Sequence, residues 1–162
     1  MAAFDGLARR YQDRVYSYAL RIVGDPHEAA DLAQDTLMRA FRSLASFDAK
    51  QRFGAWLFGI AAHVCRDCLR RRRRRLEHTS EAVEDAAAPV REGEGAAAAE
   101  ERSRVRDAVR KLPIKYREVI VLHYLEEMGY DQVARSLGIT AAAARRRALR
   151  AREMLRRRLG GG

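Results

Sequence analysis

Arginine supplies the most conspicuous chemistry in this chain. Six stand in a row, Arg70 to Arg75, and three more, Arg145, Arg146 and Arg147, follow a run of four alanines near the C-terminus. Guanidinium groups in such number suit phosphate, because each offers a fixed fork of donors and a charge that does not titrate away. On a helix the run of six points to every side. It can neutralise phosphates but cannot read a sequence. A solvated helix end, or one facing an anionic partner protein, is the plain alternative.

The triplet has a different context. It follows Tyr130-Asp-Gln-Val-Ala-Arg-Ser-Leu-Gly138-Ile139-Thr140, which reads as a short helix, a turn containing glycine and an N-capping threonine. With the basic helix behind it, this is the helix-turn-helix pattern, whose second helix enters a DNA major groove. If Ala144, Ala148, Ala151 and Leu155 pack inward, a step of about 100° per residue sets Ala142 and Arg146 nearly opposite, with Arg145 and Arg150 on the flanks. Arg147 then turns toward the core edge, and Leu149 faces outward. Thr140, Ala142, Ala143 and Arg146 form the expected base-reading set: Arg146 for a bidentate contact to guanine, the small alanines for close approach to a thymine methyl. Arg145 and Arg150, with Arg70, Arg71, Arg72 and Arg73, are the expected phosphate contacts. Gly129 stands where a serine would cap the first helix of the pair, so that helix start gains no side-chain cap.

Other reactive residues carry less. His63, Cys65 and Cys68 suggest a metal, but His63 and Cys65 lie about 200° apart on one helix. Only the two cysteines share a face, and two ligands do not make a structural zinc site, so packed or free thiols are expected and no metal or cofactor. Gly54 and Gly59 have the glycine spacing of a phosphate loop, yet Ile60 stands where its lysine belongs. No nucleophile elbow, His-Glu-x-x-His or dinucleotide fingerprint occurs, and the chain reads as a binding protein rather than an enzyme.

These residues need helices to position them. The chain has 162 residues, 33% charged and only 7% aromatic, which favours an all-α fold. Its 32 Lys and Arg against 22 Asp and Glu give +10, pointing to a polyanionic partner. From Leu76 to Glu101 eight acids face one base, leaving the remainder of the chain at +17. Apolar periodicity also stops there. The expected organisation is therefore a helical domain over 1–75, an acidic Ala/Glu/Gly-rich linker over 76–99 and a second helical domain over 100–162. About 25 residues of linker span roughly 80 Å when fully extended, far enough to place the domains apart on one ligand. In the first domain, Gly24-Asp25-Pro26 ends one helix and caps the next, which runs to about Leu44 with Ala30, Ala33, Leu37, Ala40, Phe41 and Leu44 as its apolar face. Phe53 to Arg75 is a third helix, with Phe53, Trp56, Leu57, Ile60 and Val64 inward. No apolar run approaches membrane-spanning length and the N-terminus lacks a signal-peptide core, so a cytoplasmic protein without membrane insertion is expected.

Together the halves resemble the extracytoplasmic-function (ECF) group of the sigma-70 family. The residues that carry the resemblance are Asp31-Leu-Ala-Gln-Asp-Thr-Leu-Met-Arg-Ala-Phe41, Phe53-Gly-Ala-Trp-Leu-Phe58 with Ile60-Ala61, Leu112-Pro113, Tyr116-Arg117-Glu118-Val119, and Tyr130 to Ile139. The resemblance implies a sigma region 2-like three-helix domain and a region 4-like helix-turn-helix domain, binding core RNA polymerase and promoter DNA, both double-stranded and melted. Asp31, Leu32, Gln34, Asp35 and Arg39 become the polymerase-binding face; their charges alone would suggest only a solvated surface. Phe47, Asp48, Lys50, Gln51 and Arg52, otherwise an ordinary connection, become the minus-ten melting loop that holds a flipped base. The second domain would read the minus-thirty-five element, and an anti-sigma factor is a further candidate partner. The rival reading is a stand-alone helix-turn-helix regulator that does not bind core polymerase.

Overall fold

Local signals set the helix boundaries in the computed structural model, which describes residues 2–78 and 95–160. Helix α1 (Ala2–Val23) ends where Gly24 takes φ 82°, a left-handed conformation that glycine adopts at no steric cost. Asp25 then caps α2 (Pro26–Arg42) by accepting from the amides of His27 and Glu28. Those two amide bonds, chiefly that from Glu28, hold its carboxyl below the usual range. A 3-10 turn (Leu44–Ser46) and a loop lead to α3 (Phe53–His78). Helices α4 (Ala96–Arg110), α5 (Ile114–Ile120, continued by a π-helical turn over Val121–Leu125), α6 (Tyr130–Leu137) and α7 (Ala141–Gly160) follow. Among the described residues there is no strand. Most of the expected linker falls in 79–94, outside the described residues, while α3 and α4 take up its two ends.

The wheel drawn for α2 needs correction. Its buried residues are Ala29, Leu32, Ala33, Thr36 and Ala40, whereas Ala30 is exposed and Phe41 is 42% exposed. Packing against both α1 and α3 rotates the helix so that Leu32 and Thr36 turn inward. Thr36 satisfies its own hydroxyl by donating to the Leu32 carbonyl at 2.7 Å. Phe41 keeps only an edge contact with Phe4, ring centroids 5.2 Å apart.

The two halves share one core. Val15, Tyr18, Phe58, Ala61 and Val64 belong to the same buried cluster as Val119, Leu122, Val133 and Leu137. Each large aliphatic side chain so buried contributes about 1.5–3 kcal/mol. Helix α6 lies on α3 so closely that a Cβ at Gly59 would meet the Ser136 carbonyl at 3.0 Å, and the Ser136 hydroxyl donates to the Ala55 carbonyl at 2.6 Å. Arg117 donates to the Ile22 carbonyl, and Arg14 pairs with Glu126 at 2.8 Å. Deepest of these cross-links is Glu118, 2% exposed, whose carboxylate is held by Arg66 of α3.

Burial pushes the Glu118 carboxyl up while Arg66 pulls it down, and burial wins. A carboxyl raised in the folded state holds its proton more tightly there than in the unfolded chain. Its cost to stability is fully present above the folded value and vanishes below the unfolded one. Arg66→Ala removes the pull and strands the carboxylate, so it is expected to cost about 3 kcal/mol, the low end for breaking a buried pair because Arg66 is itself 30% exposed. The deficit should shrink as pH falls from neutral toward mildly acidic values. Melting temperatures of parent and variant across that range check it; a pH-independent difference contradicts the assignment.

Candidate nucleic-acid and protein interfaces

On α2 the outward face consists of Asp31, Gln34, Asp35, Met38 and Arg42, with Arg39 beside it and paired to Asp35 at 3.2 Å. Leu32 is not part of that surface. At 5% exposure it is a core residue, and its expected role as an apolar protein contact is withdrawn. Met38, 47% exposed, is the large apolar side chain that this face carries instead. It falls within about 60° of both Asp31 and Asp35 on a helical wheel, a signal available in the sequence but obscured once the wheel was rotated the wrong way. An exposed, adaptable methionine ringed by carboxylates and an amide suits a protein partner.

Between α2 and α3 the loop presents Asp48, Lys50, Gln51 and Arg52 to solvent, with Phe47 half-buried behind them. Asp48 caps its own turn by accepting the Lys50 amide at 3.0 Å. Phe47 and Phe53 pack against Trp56, with centroids 5.1 and 5.7 Å away. Trp56, expected to point inward, is half-buried: one part of the indole packs, and another borders a cleft of about 770 Å³. Arg42, Lys50 and Arg52 line this cleft from the first half of the chain, and Gln132 and Arg135 of α6 line it from the second. The Gln132 side-chain oxygen accepts from Arg52 at 2.8 Å. Sequence reasoning missed the α6 contribution, because no local pattern shows that α6 lies across α3.

At the far end of α3 the arginine run divides by contact. Arg71 and Arg73 are exposed, and Arg70 pairs with Asp67 at 3.6 Å. Arg72 is removed from the phosphate set: its side chain is 18% exposed, pairs with Glu28 and donates to the Val23 carbonyl at 2.9 Å, fastening α3 to the α1–α2 corner. Cys65 and Cys68 are buried free thiols. Burial pushes Cys65 up to about 12, so it stays protonated and packs as a small apolar side chain. Among the described residues no group of three or more His, Cys, Asp or Glu could hold a metal ion.

Helix α7 follows the expected wheel. Ala144, Ala148 and Ala151 are fully buried, and Leu155 packs beside Leu112, Ile120 and Ala151. Gly138 makes the turn at φ 66°, and the Thr140 hydroxyl accepts the Ala143 amide at 3.0 Å. Tyr130 begins α6 without a side-chain cap at Gly129. Ala142, Arg145, Arg146 and Arg150 are exposed, Ala143 and Arg147 half-buried, and Leu149 is 52% exposed. Arg150 leans on Glu153 at 3.3 Å. Arg146 has the outward, N-terminal position from which such helices reach base edges, whereas Arg150 lies a turn further on. Arg146→Ala is expected to cost about 1–3 kcal/mol on a cognate element and to relax preference at one base pair; Arg150→Ala should weaken all sequences alike and flatten the salt slope. Binding to a randomised duplex library checks both, and an unchanged preference profile for Arg146→Ala contradicts base reading.

Comparison with known proteins bears on both halves. The family model for Sigma-70 region 2 matches residues 7–75, and that for Sigma-70, region 4 matches residues 102–155. The ECF RNA polymerase sigma factor SigW of Bacillus subtilis (strain 168) is 31% identical, over 97% of this chain and 89% of its own. The RNA polymerase sigma factor CarQ of Myxococcus xanthus is 34% identical, over 98% and 90%. Among solved structures, CnrH in complex with the cytosolic domain of CnrY aligns with a TM-score of 0.75 at 30% identity, covering 99% of this chain and 89% of that one. The sigma factor RpoE in complex with the anti-sigma factor NepR from Bartonella quintana has the same fold, with a TM-score of 0.85 at 24% identity, covering 99% and 98%.

Proposed function

The chain belongs to the ECF group of the sigma-70 family, and from that premise we propose how each face of this molecule serves promoter-specific initiation. Sigma factors bind core RNA polymerase and promoter DNA, and this one has sigma factor activity. The observation that carries the assignment is the presence of both regions on one chain, in order. A stand-alone helix-turn-helix regulator has no need of region 2 and is not favoured.

In this reading the Asp31, Gln34, Asp35, Met38 face of α2, with Arg39 at its edge, docks on core polymerase, the methionine filling an apolar hole and the carboxylates meeting cations around it. The loop from Phe47 to Arg52 holds an unstacked minus-ten base, Lys50 and Arg52 taking its phosphates. Thr140, Ala142, Ala143 and Arg146 read the minus-thirty-five element while Arg145 and Arg150 position the helix on phosphates. Arg70, Arg71 and Arg73 add sequence-independent attraction. The chemistry of RNA synthesis stays with the polymerase, and the chain needs no cofactor of its own. Among the described residues no helix is long and apolar enough to cross a membrane, and a cytoplasmic location accompanies the proposed partners. An anti-sigma protein is a further partner, supported by the likeness to sigma factors solved with bound partner proteins.

The arrangement of the halves adds a condition. With α6 seated on α3, the exposed strand-holding loop has Arg52 tied to Gln132 and shares its cleft with Arg135. Reading two promoter elements at once therefore requires the halves to part, with residues 79–94 as the connection. Asp35→Arg together with Met38→Ala is expected to weaken core binding by about tenfold or more, the worth of one lost charge-assisted contact, with helical content unchanged. Alanine at Asp48, Lys50 and Arg52 should instead spare closed-complex binding and suppress permanganate-reactive thymines at the start site. Unchanged core affinity in the first case, or parent-like footprints in the second, contradicts the corresponding face.

A further inference from the structure

The cleft between the halves has a charge pattern that its neighbours do not neutralise. Besides Arg39, four cations border it: Arg42, Lys50, Arg52 and Arg135. Among the described residues none of the four has a carboxylate partner, in contrast to Arg39 and His63 at the rim, which face Asp35 and Asp67. No carboxylate lines the cavity. Like charges converging on one space raise a positive potential that an anion relieves, and low-dielectric walls concentrate it. One wall is the indole of Trp56, backed by Phe47 and Phe53. The volume, about 770 Å³, falls in the class that encloses a single small ligand. Cations for several phosphates beside an aromatic face for a base make up the recognition chemistry of one nucleotide.

We propose that this cleft binds a nucleoside oligophosphate, with the phosphates between Arg42, Lys50, Arg52 and Arg135 and the base against Trp56. The inference rests on the strand-holding role proposed for the loop and extends it: the groups that grip a strand in the open molecule grip a mononucleotide in the closed one. Closure makes the difference. The bond from the Ser136 hydroxyl to the Ala55 carbonyl and the close fit at Gly59 hold α6 over the groove, and Arg135 brings a cation that the first half lacks. Because the site draws cations from both halves, the ligand favours the closed arrangement and competes with promoter opening. It shifts the equilibrium only by its preference for the closed state. A cellular nucleotide pool would then act directly on availability of the factor for polymerase.

The test is titration of the full chain with ATP, followed by calorimetry and by fluorescence of Trp56, the one tryptophan in the sequence. Saturable binding of one ATP with a change in emission is expected, and inorganic tripolyphosphate should bind more weakly without that change. Arg135→Glu should lower ATP affinity by about tenfold or more, the worth of one charge-assisted hydrogen bond, and Arg135→Gln should lower it in the same direction. Neither change touches the loop, so permanganate footprints on a promoter should persist in both variants without ATP and, in the parent, weaken as ATP is added. Absence of saturable binding at millimolar ATP, or equal affinity in the parent and both variants, overturns the proposal. If footprints form normally in that case, the strand-holding role of the loop stands by itself.

Discussion

Burial of the Glu118 carboxylate is the constraint around which the two halves are arranged. A carboxylate at 2% exposure is tolerated only with a cation in reach, and the guanidinium comes from Arg66 on α3, fifty-two positions earlier in the chain. To deliver it, α3 must lie along the second half, which brings Ser136 onto Ala55 and Gly59 and places Val119, Leu122 and Val133 in the core that already contains Tyr18 and Phe58. The polar contact and the apolar one depend on each other. Low dielectric around the pair strengthens it, and the pair offsets part of the penalty that burying Glu118 imposes.

Much of this was legible in the sequence wherever a residue acts locally. Asp25 with Pro26, Gly138 and Thr140 mark helix ends through their own backbone preferences, and the structure places them there. The inward alanines of α7 and the outward Arg146 followed from a wheel because what α4, α5 and α6 bury on that helix, Ala144, Ala148 and Ala151, falls on one narrow stripe. The wheel failed for α2, which is gripped on two sides, so that Leu32 is buried and Met38 is exposed. Arg72 was read as one of six alike; only the fold shows that Glu28 and the Val23 carbonyl single it out. The cleft could not be foreseen at all. Its walls come from residues about eighty positions apart, and no periodicity encodes which face of α3 receives α6.

The shared core also explains how a small factor can be stable yet available. Apolar burial across α3 and α6 favours the closed form, while under the proposed function a chain that reaches two DNA elements surrenders that burial. In the proposed function the exchange is balanced by what the polymerase and DNA offer: a docking surface for the carboxylates of α2, phosphates for uncompensated arginines, and a base for the loop. Charge thus does two opposite things here. Glu118 with Arg66 and Glu126 with Arg14 draw the halves together, whereas the unneutralised cations of the cleft store an attraction for whatever anion arrives.

Locking the halves together tests this account most directly. Helices α3 and α6 are in backbone contact at Gly59 and Ser136, so cysteines at a facing pair away from Gly59, chosen for a Cβ separation of about 3.5–4.5 Å and made in a Cys65→Ala, Cys68→Ala background, allow oxidation to staple α3 to α6. The measurement is promoter opening with core polymerase, read by permanganate footprinting before and after reduction of the same preparation. The account predicts no open complex from the oxidised protein and recovery of the footprint on reduction. An oxidised protein that opens the promoter as well as its reduced form would contradict the claim that the two halves must separate to act.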